Sequence, residues 1–520
     1  MKHTPQPHQP SLHDDYFFRQ LVPPEHELLQ IDQAVDFSFV HDLVADLYCS
    51  DNGRPATDPE LLLRLSVLQR MHGLSDRGVI ERAQTDLAFR AFLHLNWEDP
   101  LPDHSTLHVF RSRLGERFEE VFRGFVAQAV RRGHVNRSRL LVDSFTLQAD
   151  AAVPRLRALL MTVIEQTLGA LPAEASWAQA EYEALSGDPA WHQNEATAGE
   201  QVERWFDLVG RLREALLAVD PRARTQEQYE AIGLLNSALN RHGPKRKGKR
   251  RDGLVSATDR EARWGCKKRG KQPVAGYTEQ IAVDAASGIV TEVIVEPGNV
   301  DDSQMLVPLV AGHMAKTGEK PAAVVADSKY LSGDNVAHLQ TEEITDFIAA
   351  PTPKGHKQGR FSASDFTVEY DEAEQPVRAL CPNGHLSEGP RWQRETHSWV
   401  FFFSKGQCEG CPLRERCTKQ KRGRQLSVSV HHQRLREVRE RQETAAFAAA
   451  QVERLSIERK FARQRKQGGG RLPWRGLSKA KAFGWLWGCC LNIWQLTKLT
   501  VPGANLYRGP TALIPRPHCA

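Results

Sequence analysis

Two runs of the sequence share one form: Arg139-Leu140-Leu141-Val142-Asp143, continuing into Ser144-Phe145-Thr146, and Ala322-Ala323-Val324-Val325-Ala326-Asp327. Each is a stretch of apolar residues, free of Gly and Pro, that ends on an aspartate. That is the pattern of a buried strand whose last side chain emerges where a sheet meets solvent. In open α/β sheets ligand-binding groups gather at that edge. A strand-terminal aspartate is also an ordinary turn residue, so the pair gains weight only from what surrounds it.

Working outward, residues 152 to 240 have helical periodicity, through Leu156, Leu159, Leu160 and Val163 and again through Trp205, Leu208, Val209 and Leu212. The apolar runs Tyr277 to Asp284 and Ile289 to Val295, joined by Ala285-Ala286-Ser287-Gly288, predict a β-hairpin. A helix over Ser303 to Met314 precedes the second aspartate run. A helix near Asp334 to Gln340, a strand near Asp346 to Ala350 and a long helix from about His432 to Lys466 follow it. With the two insertions set aside, this is the element order of a ribonuclease H-like mixed sheet flanked by helices.

Upstream, Asp58 is a helix N-cap with Pro59 at the first helical position. Leu61, Leu62, Leu65, Leu68 and Met71, then Val79, Ala83, Leu87 and Phe92, continue at helical spacing. The expected organisation is an N-terminal arm (1–57), a helical DNA-binding domain (58–134), and an α/β core assembled from 135–150, 252–360 and 430–500. A helical insertion with a basic linker (151–251), a cysteine-bearing insertion (361–429) and a tail (501–520) complete it.

A chain of 520 residues makes roughly three or four structural units at about 100–200 residues each. Its 40% hydrophobic and 26% charged residues exclude a disordered or fibrous protein. The net charge of +5 is unevenly spread. Lys421 to Lys481 holds 17 Lys or Arg against five Glu, and Lys245 to Arg251 reads KRKGKRR. Such concentration is the footprint of a polyanion partner, with a solvated helix face as the bland alternative. The N-terminus has no apolar signal region and no window is apolar enough for a membrane span, so a cytoplasmic, nucleoid-associated protein is expected.

The segments GRPATDPELLLRLSVLQRMHGLSDR and LPDHSTLHVFRSRLG resemble the N-terminal domain of bacterial insertion-sequence transposases with a DDE catalytic core. VDSFTLQADA, SATDREARWGCKKRG, GYTEQIAVD, VIVEPGNVDDSQML and VVADSKYLS resemble that core, in the same order. The resemblance covers most of residues 54–500. It implies a metal-dependent transposase that cleaves DNA at transposon ends and transfers the strand to a target, with Asp143 and Asp327 as two of three metal-holding carboxylates. The family closes its site with Tyr, two residues, Arg, three residues, Glu, six residues and Lys on the last helix. Arg454, Glu458 and Arg465 fit that register, with Gln451 at the Tyr position and Lys466 beside Arg465. Ser144 stands where the family usually has Gly, and Ser328-Lys329 where it has Lys-Gly. Glu458 is therefore the expected third carboxylate and Glu453 its competitor. Two Mg²⁺ or Mn²⁺ ions would be the cofactor. Arg454, Arg465 and Lys466 would contact DNA phosphates, as Arg can do bidentately.

Cys381, Cys408, Cys411 and Cys417, with His385 as a substitute, supply the ligands of a candidate structural Zn²⁺ site. The alternative is four reduced thiols in a loop. Arg111 and Arg113, on the helix capped by Asp103 or Ser105, are candidate contacts to double-stranded DNA in a helix-turn-helix-like arrangement. Arg54, within Gly53-Arg54-Pro55, could enter a minor groove or form a simple turn. The apolar stretch Ala482 to Leu496 reads as a core helix beneath the sheet, too short for a bilayer, with Cys489 and Cys490 as small hydrophobes. Pairing two DNA ends implies a homodimer or higher assembly on DNA. Two rivals are a catalytically inactive DNA-binding protein derived from a transposase and a hydrolytic nuclease of the same fold.

Overall fold

The computed structural model describes residues 16, 18, 20–49, 56–153, 156–188, 195–242, 253–265, 272–353, 355–372 and 374–504. The basic run 245–251, the Gly53-Arg54-Pro55 turn and residues 505–520 lie outside the described residues.

The central sheet has six strands: β1 (Arg139–Gln148), β2 (Arg263–Gly265), β3 (Val274–Asp284), β4 (Val290–Pro297), β5 (Ala323–Ala326) and β6 (Thr345–Ile348). β1 is antiparallel to β3 and parallel to β5, β6 extends the parallel half, and β4 and the short β2 share the far edge of β3. This is the ribonuclease H-like order that the sequence predicts. The β3–β4 turn is closed by Asp284, whose carboxylate accepts from the Ser287 N–H (2.8 Å) and Ser287 Oγ (2.6 Å). Gly288 follows at φ +71°, a left-handed value that favours glycine.

The N-terminal helices are α1 (Glu27–Ala34), α2 (Val40–Val44), α3 (Pro59–Met71), α4 (Asp76–Thr85), α5 (Leu87–Phe92), α6 (His104–Leu114) and α7 (Phe118–Arg131). The first insertion holds α8 (Leu156–Leu168), α9 (Trp177–Ser186), α10 (Glu195–Ala218) and α11 (Gln226–His242) around a core of its own. Helices α12 (Leu306–Thr317) and α13 (Gly333–Thr341) follow β4 and β5, and α14 (His432–Gln442), α15 (Ala445–Lys466) and α16 (Leu477–Thr500) end the chain. Strand alternation separates two cores. Leu140, Val142, Val324 and Ala326 join Leu309, Val310 and Leu339 of α12 and α13 on one face. Leu141, Phe145, Leu147 and Val325 join Phe461 of α15, Trp487 of α16 and the N-terminal helices on the other.

Three expectations are corrected. Residues 27–47 are not an arm: α1 and α2 bury Leu28, Ile31, Ala34 and Val40, with Phe37 between them, because these apolar residues recur at helical spacing behind a Pro- and His-rich start. The N-terminal helices do not own a separate core, since one cluster runs from Val22 through α3 and α7 to α16 and the sheet. The long helix expected over His432 to Lys466 is two helices. Thr444 takes an extended conformation (φ −86°, ψ 149°) and its side chain accepts from the Phe447 N–H, so it caps a new helix.

Candidate active site

β1 and β5 pair in parallel, Leu140 with Val324 and Leu141 with Val325. Asp143 and Asp327 each stand two residues beyond that last pair, so adjacent strands, about 4.8 Å apart, deliver both carboxylates at one level. Alternation puts them on the face of Leu141 and Val325, which α15 covers. The Oδ1 of Asp143 accepts from the Ser144 N–H (2.7 Å) and its Oδ2 from Arg454 Nη1 (2.9 Å). The Oδ1 of Asp327 accepts from the Lys329 N–H (2.9 Å).

Helix α15 is tied to the ends of β5 and β6 by Gln451. Its Nε2 donates to the carbonyls of Phe347 (2.8 Å) and Ala326 (3.3 Å), and its Oε1 accepts from Arg454 Nε (3.2 Å). Nearly three turns on, Phe461 stacks on Phe145 at 5.0 Å between ring centroids. Arg454 reaches Glu458 as well as Asp143, at 3.8 Å, and the Glu458 side chain is 57% exposed. Glu453 is committed elsewhere: both its oxygens accept from the Arg139 guanidinium, at the start of β1. The two glutamates thus serve different points of one strand, Glu453 its start and Glu458, through Arg454, its middle. Arg465 lies over the Phe145 ring, 5.0 Å from its centroid, and both Arg465 and Lys466 are exposed.

A second set of polar groups, absent from the sequence reading, lies on the other face of β1. Ser144 and its β3 register partner Gln280 point there, toward Asp302. Asp302 is buried and accepts from Gln280 Nε2 (2.6 Å), Ser144 Oγ (3.0 Å) and Lys329 Nζ (3.1 Å). The fully buried Tyr330 donates its hydroxyl to Gln280 Oε1. Burial, and then the charges of Asp302, Asp143 and Asp327, push that hydroxyl well above the usual tyrosine value. The Asp301-Asp302 doublet in VEPGNVDDSQML was the available signal, but sequence alone does not separate its members. Asp301 caps the following turn through Ser303 while Asp302 turns inward.

The expected DNA-reading helix, α6, is capped by Asp103. Arg111 does not lie on its open face: it is 7% exposed, its guanidinium pairs with Asp76 and it stacks over Trp474. Its spacing from Leu107, Phe110 and Leu114 puts it on the buried stripe. Arg113 is exposed, over the Tyr48 ring at 5.1 Å, and His108 is also exposed.

The cysteine-bearing region folds as a two-stranded sheet of β7 (Thr367–Tyr370) and β8 (Pro376–Leu380) and a three-stranded sheet of β9 (Arg391–Gln393), β10 (Ser398–Phe403) and β11 (Arg424–Ser429), around its own core. Cys381, Cys408, Cys411, Cys417 and His385 line one cavity of about 20 Å³. Cys381 sits in a tight turn in which the His385 N–H donates to its Sγ at 3.3 Å. Burial raises the Cys417 thiol, and the three other thiols are close enough to add to that shift. Among the described residues, no group of three or more His, Cys, Asp or Glu side chains is arranged to hold a metal ion.

Residues 16–113 match the family model described as Transposase domain (DUF772), and residues 380–497 match the one described as Transposase DDE domain. The two matches support an insertion-sequence DDE transposase. None of the curated proteins matches the chain. The second match spans the four cysteines and most of α16, with Gln451, Arg454 and Glu458 inside it, whereas Asp143 and Asp327 fall between the two matched segments. A DDE transposase is a polynucleotidyl transferase that acts on DNA, and such enzymes use divalent metals. No described helix of this chain is long and apolar enough to cross a membrane.

Proposed function

We propose that the transposase cleaves DNA at the ends of an insertion sequence and joins the freed 3′ ends to target DNA, using Asp143, Asp327 and Glu458 with two Mg²⁺ or Mn²⁺ ions. The observation that carries this reading is the level placement of Asp143 and Asp327 on adjacent parallel strands, under the helix that bears Arg454 and Glu458. The donors are hard carboxylate oxygens, and Mg²⁺ keeps several waters and takes one or two protein carboxylates. That modest demand suits the donor types, one aspartate midway along β1, one just beyond β5 and an exposed glutamate, which among the described residues are not gathered around an ion. When bound, the ions neutralise charge developing on the attacked phosphate and activate the attacking oxygen.

The chain's own residues then have separate tasks. Asp143 and Asp327 hold the cations, and Gln451 fixes α15 over the strand ends. Arg454 sits between Asp143 and Glu458, where a DNA phosphate can share its donors. Arg465 and Lys466 extend the cationic surface along which the strand runs, and the N-terminal helices, with Arg113 exposed, bind the transposon end. Two ends must be held together, so the working unit on DNA is a homodimer or larger.

Asp143→Asn and Asp327→Asn are expected to lower end cleavage about 100-fold or more, because metal stabilisation supplies several kcal/mol and 1.36 kcal/mol is tenfold. Duplex binding should stay within a few-fold. Cleavage retained in either variant overturns the assignment. A parent that cleaves labelled ends without forming joined products would instead be a hydrolytic nuclease.

The donor set of the cysteine cavity supports a second, structural metal, although among the described residues these side chains are not arranged around an ion. Its volume of about 20 Å³ is that of a single small occupant, and four thiolates are the donor set Zn²⁺ selects. The same residues would hold it: Cys381, Cys408, Cys411 and Cys417. Protein purified without chelator is expected to contain about one Zn²⁺ per chain, and chelation should unfold this region without touching the carboxylates. Finding no zinc, with all four thiols freely titratable, rules it out.

A further inference from the structure

We propose that Asp302 is a positioning residue for Asp143 and Asp327, acting through Ser144 and Lys329. The inference rests on the metal-holding role given above to the two aspartates.

One oxygen of Asp302 is tied to a neighbour of each. Oδ2 accepts from Ser144 Oγ, on the residue that follows Asp143, at 3.0 Å. It also accepts from Lys329 Nζ at 3.1 Å, and the Lys329 main-chain N–H is the donor to Asp327 Oδ1. The other oxygen, Oδ1, accepts from Gln280 Nε2 at 2.6 Å. Gln280 is the register partner of Ser144, and its own Oε1 is taken by Tyr330, whose N–H donates to the Asp327 carbonyl at 3.2 Å. Asn335 closes the ring by donating to the carbonyls of Ser303 (2.7 Å) and Tyr330 (2.8 Å). The loop that carries Asp302 is therefore bound to the middle of β1 and to the segment just past β5 at once. Ser144 points away from the Asp143 face, so Asp302 acts from behind the sheet and not as a ligand.

The chemistry of the site requires a carboxylate. Three donors converge on Asp302, and an amide there would turn its own N–H₂ toward Gln280 Nε2 or the Lys329 ammonium. Groups that orient the ligands of a metal, without touching it, typically change affinity or activity by roughly 10–100-fold when lost.

The test measures Mn²⁺ binding to the full chain by electron paramagnetic resonance, without DNA, alongside end cleavage as a function of Mg²⁺. Asp302→Asn is expected to bind Mn²⁺ roughly tenfold or more weakly and to need correspondingly more Mg²⁺ for half-maximal cleavage. Saturating Mg²⁺ should restore much of the rate, which a general loss of structure would not permit. Ser144→Ala and Lys329→Met each remove one arm and should weaken binding by a few-fold. An Asp302→Asn protein whose Mn²⁺ affinity and Mg²⁺ midpoint stay within twofold of the parent overturns the proposal. If that variant does not fold, unchanged affinity in the Ser144→Ala, Lys329→Met double variant overturns it equally. A parent that binds Mn²⁺ in an Asp302-dependent way yet cuts no DNA would sink the functional reading and leave the positioning role standing. A parent that binds no Mn²⁺ sinks both.

Discussion

The two long helices that close the chain are consecutive, of 22 and 24 residues, and opposite in character. Helix α15 buries little beyond Phe447, Ala450, Ile457, Phe461 and Gln464, and leaves Glu458, Arg465 and Lys466 exposed. Helix α16 is buried without interruption from Ala482 to Trp494. A helix that is apolar all round must sit inside, and α16 lies between β4 on one side and α1, α3 and α7 on the other. Its polar groups are spent on the sheet: Asn492 accepts from the Val290 N–H (2.8 Å) and donates to the Val290 carbonyl (2.7 Å). The thiols of Cys489 and Cys490 are both raised, first by burial, the latter to about 12, as expected of small hydrophobes. One helix thus carries the candidate site residues Arg454 and Glu458 on a thin apolar footing, and the other is packed into the core along most of its length. They meet where Arg463 of α15 stacks on Trp494 of α16 at 3.4 Å and both contact Glu27.

This division can be broken experimentally. The largest effect is expected from Trp487→Ala, because that side chain is fully buried and such truncations cost about 3–5 kcal/mol. Trp487→Phe should cost far less, since the indole N–H has no partner among the described residues. Urea unfolding decides, and a loss near zero for Trp487→Ala would show that α16 is not the stabilising helix.

Next is Glu458→Gln on α15, for which cleavage should fall about 100-fold, or about 2.7 kcal/mol of barrier, while the melting temperature barely moves. Glu453→Gln should keep cleavage within a few-fold, because it breaks only a half-exposed pair with Arg139. The reverse outcome, with Glu453→Gln inactive and Glu458→Gln active, would move the third carboxylate to the start of β1.

The smallest effect concerns backbone approach in α16. A Cβ on Gly484 would meet Val295 Cγ2 at 2.6 Å, and one on Gly488 would meet Phe122 at 2.8 Å. Alanine favours a helix over glycine by about 1 kcal/mol, whereas overpacking costs about 1–3. Gly484→Ala should therefore be destabilising by about 1 kcal/mol in thermal unfolding. A stabilised variant would mean that α16 can shift away from β4.

The apolar runs ending in Asp143 and Asp327, the hairpin at Gly288 and the burial of Ala482 to Leu496 were legible in the sequence because each follows from local pattern. Periodicity and turn chemistry act within a few residues, and strand parity then puts both aspartates on one face. Long-range pairing was not legible. That Arg111 faces inward toward Asp76 and Trp474 depends on how α4, α6 and the segment before α16 meet. That residues 27–47 belong to the core depends on α16 arriving from the far end of the chain. Glu453 and Glu458 both lie within about one helix turn of Arg454, and the register alone prefers Glu458. In the structure they separate because the start of β1 offers Arg139 to one, while its middle presents Asp143 beside the arginine that reaches the other. Asp302 is the extreme case. Its three donors come from three separate segments of the chain, at Ser144, Gln280 and Lys329. No spacing within the sequence encodes a meeting of that kind, because it comes about only when the strands have paired and their loops have closed over them.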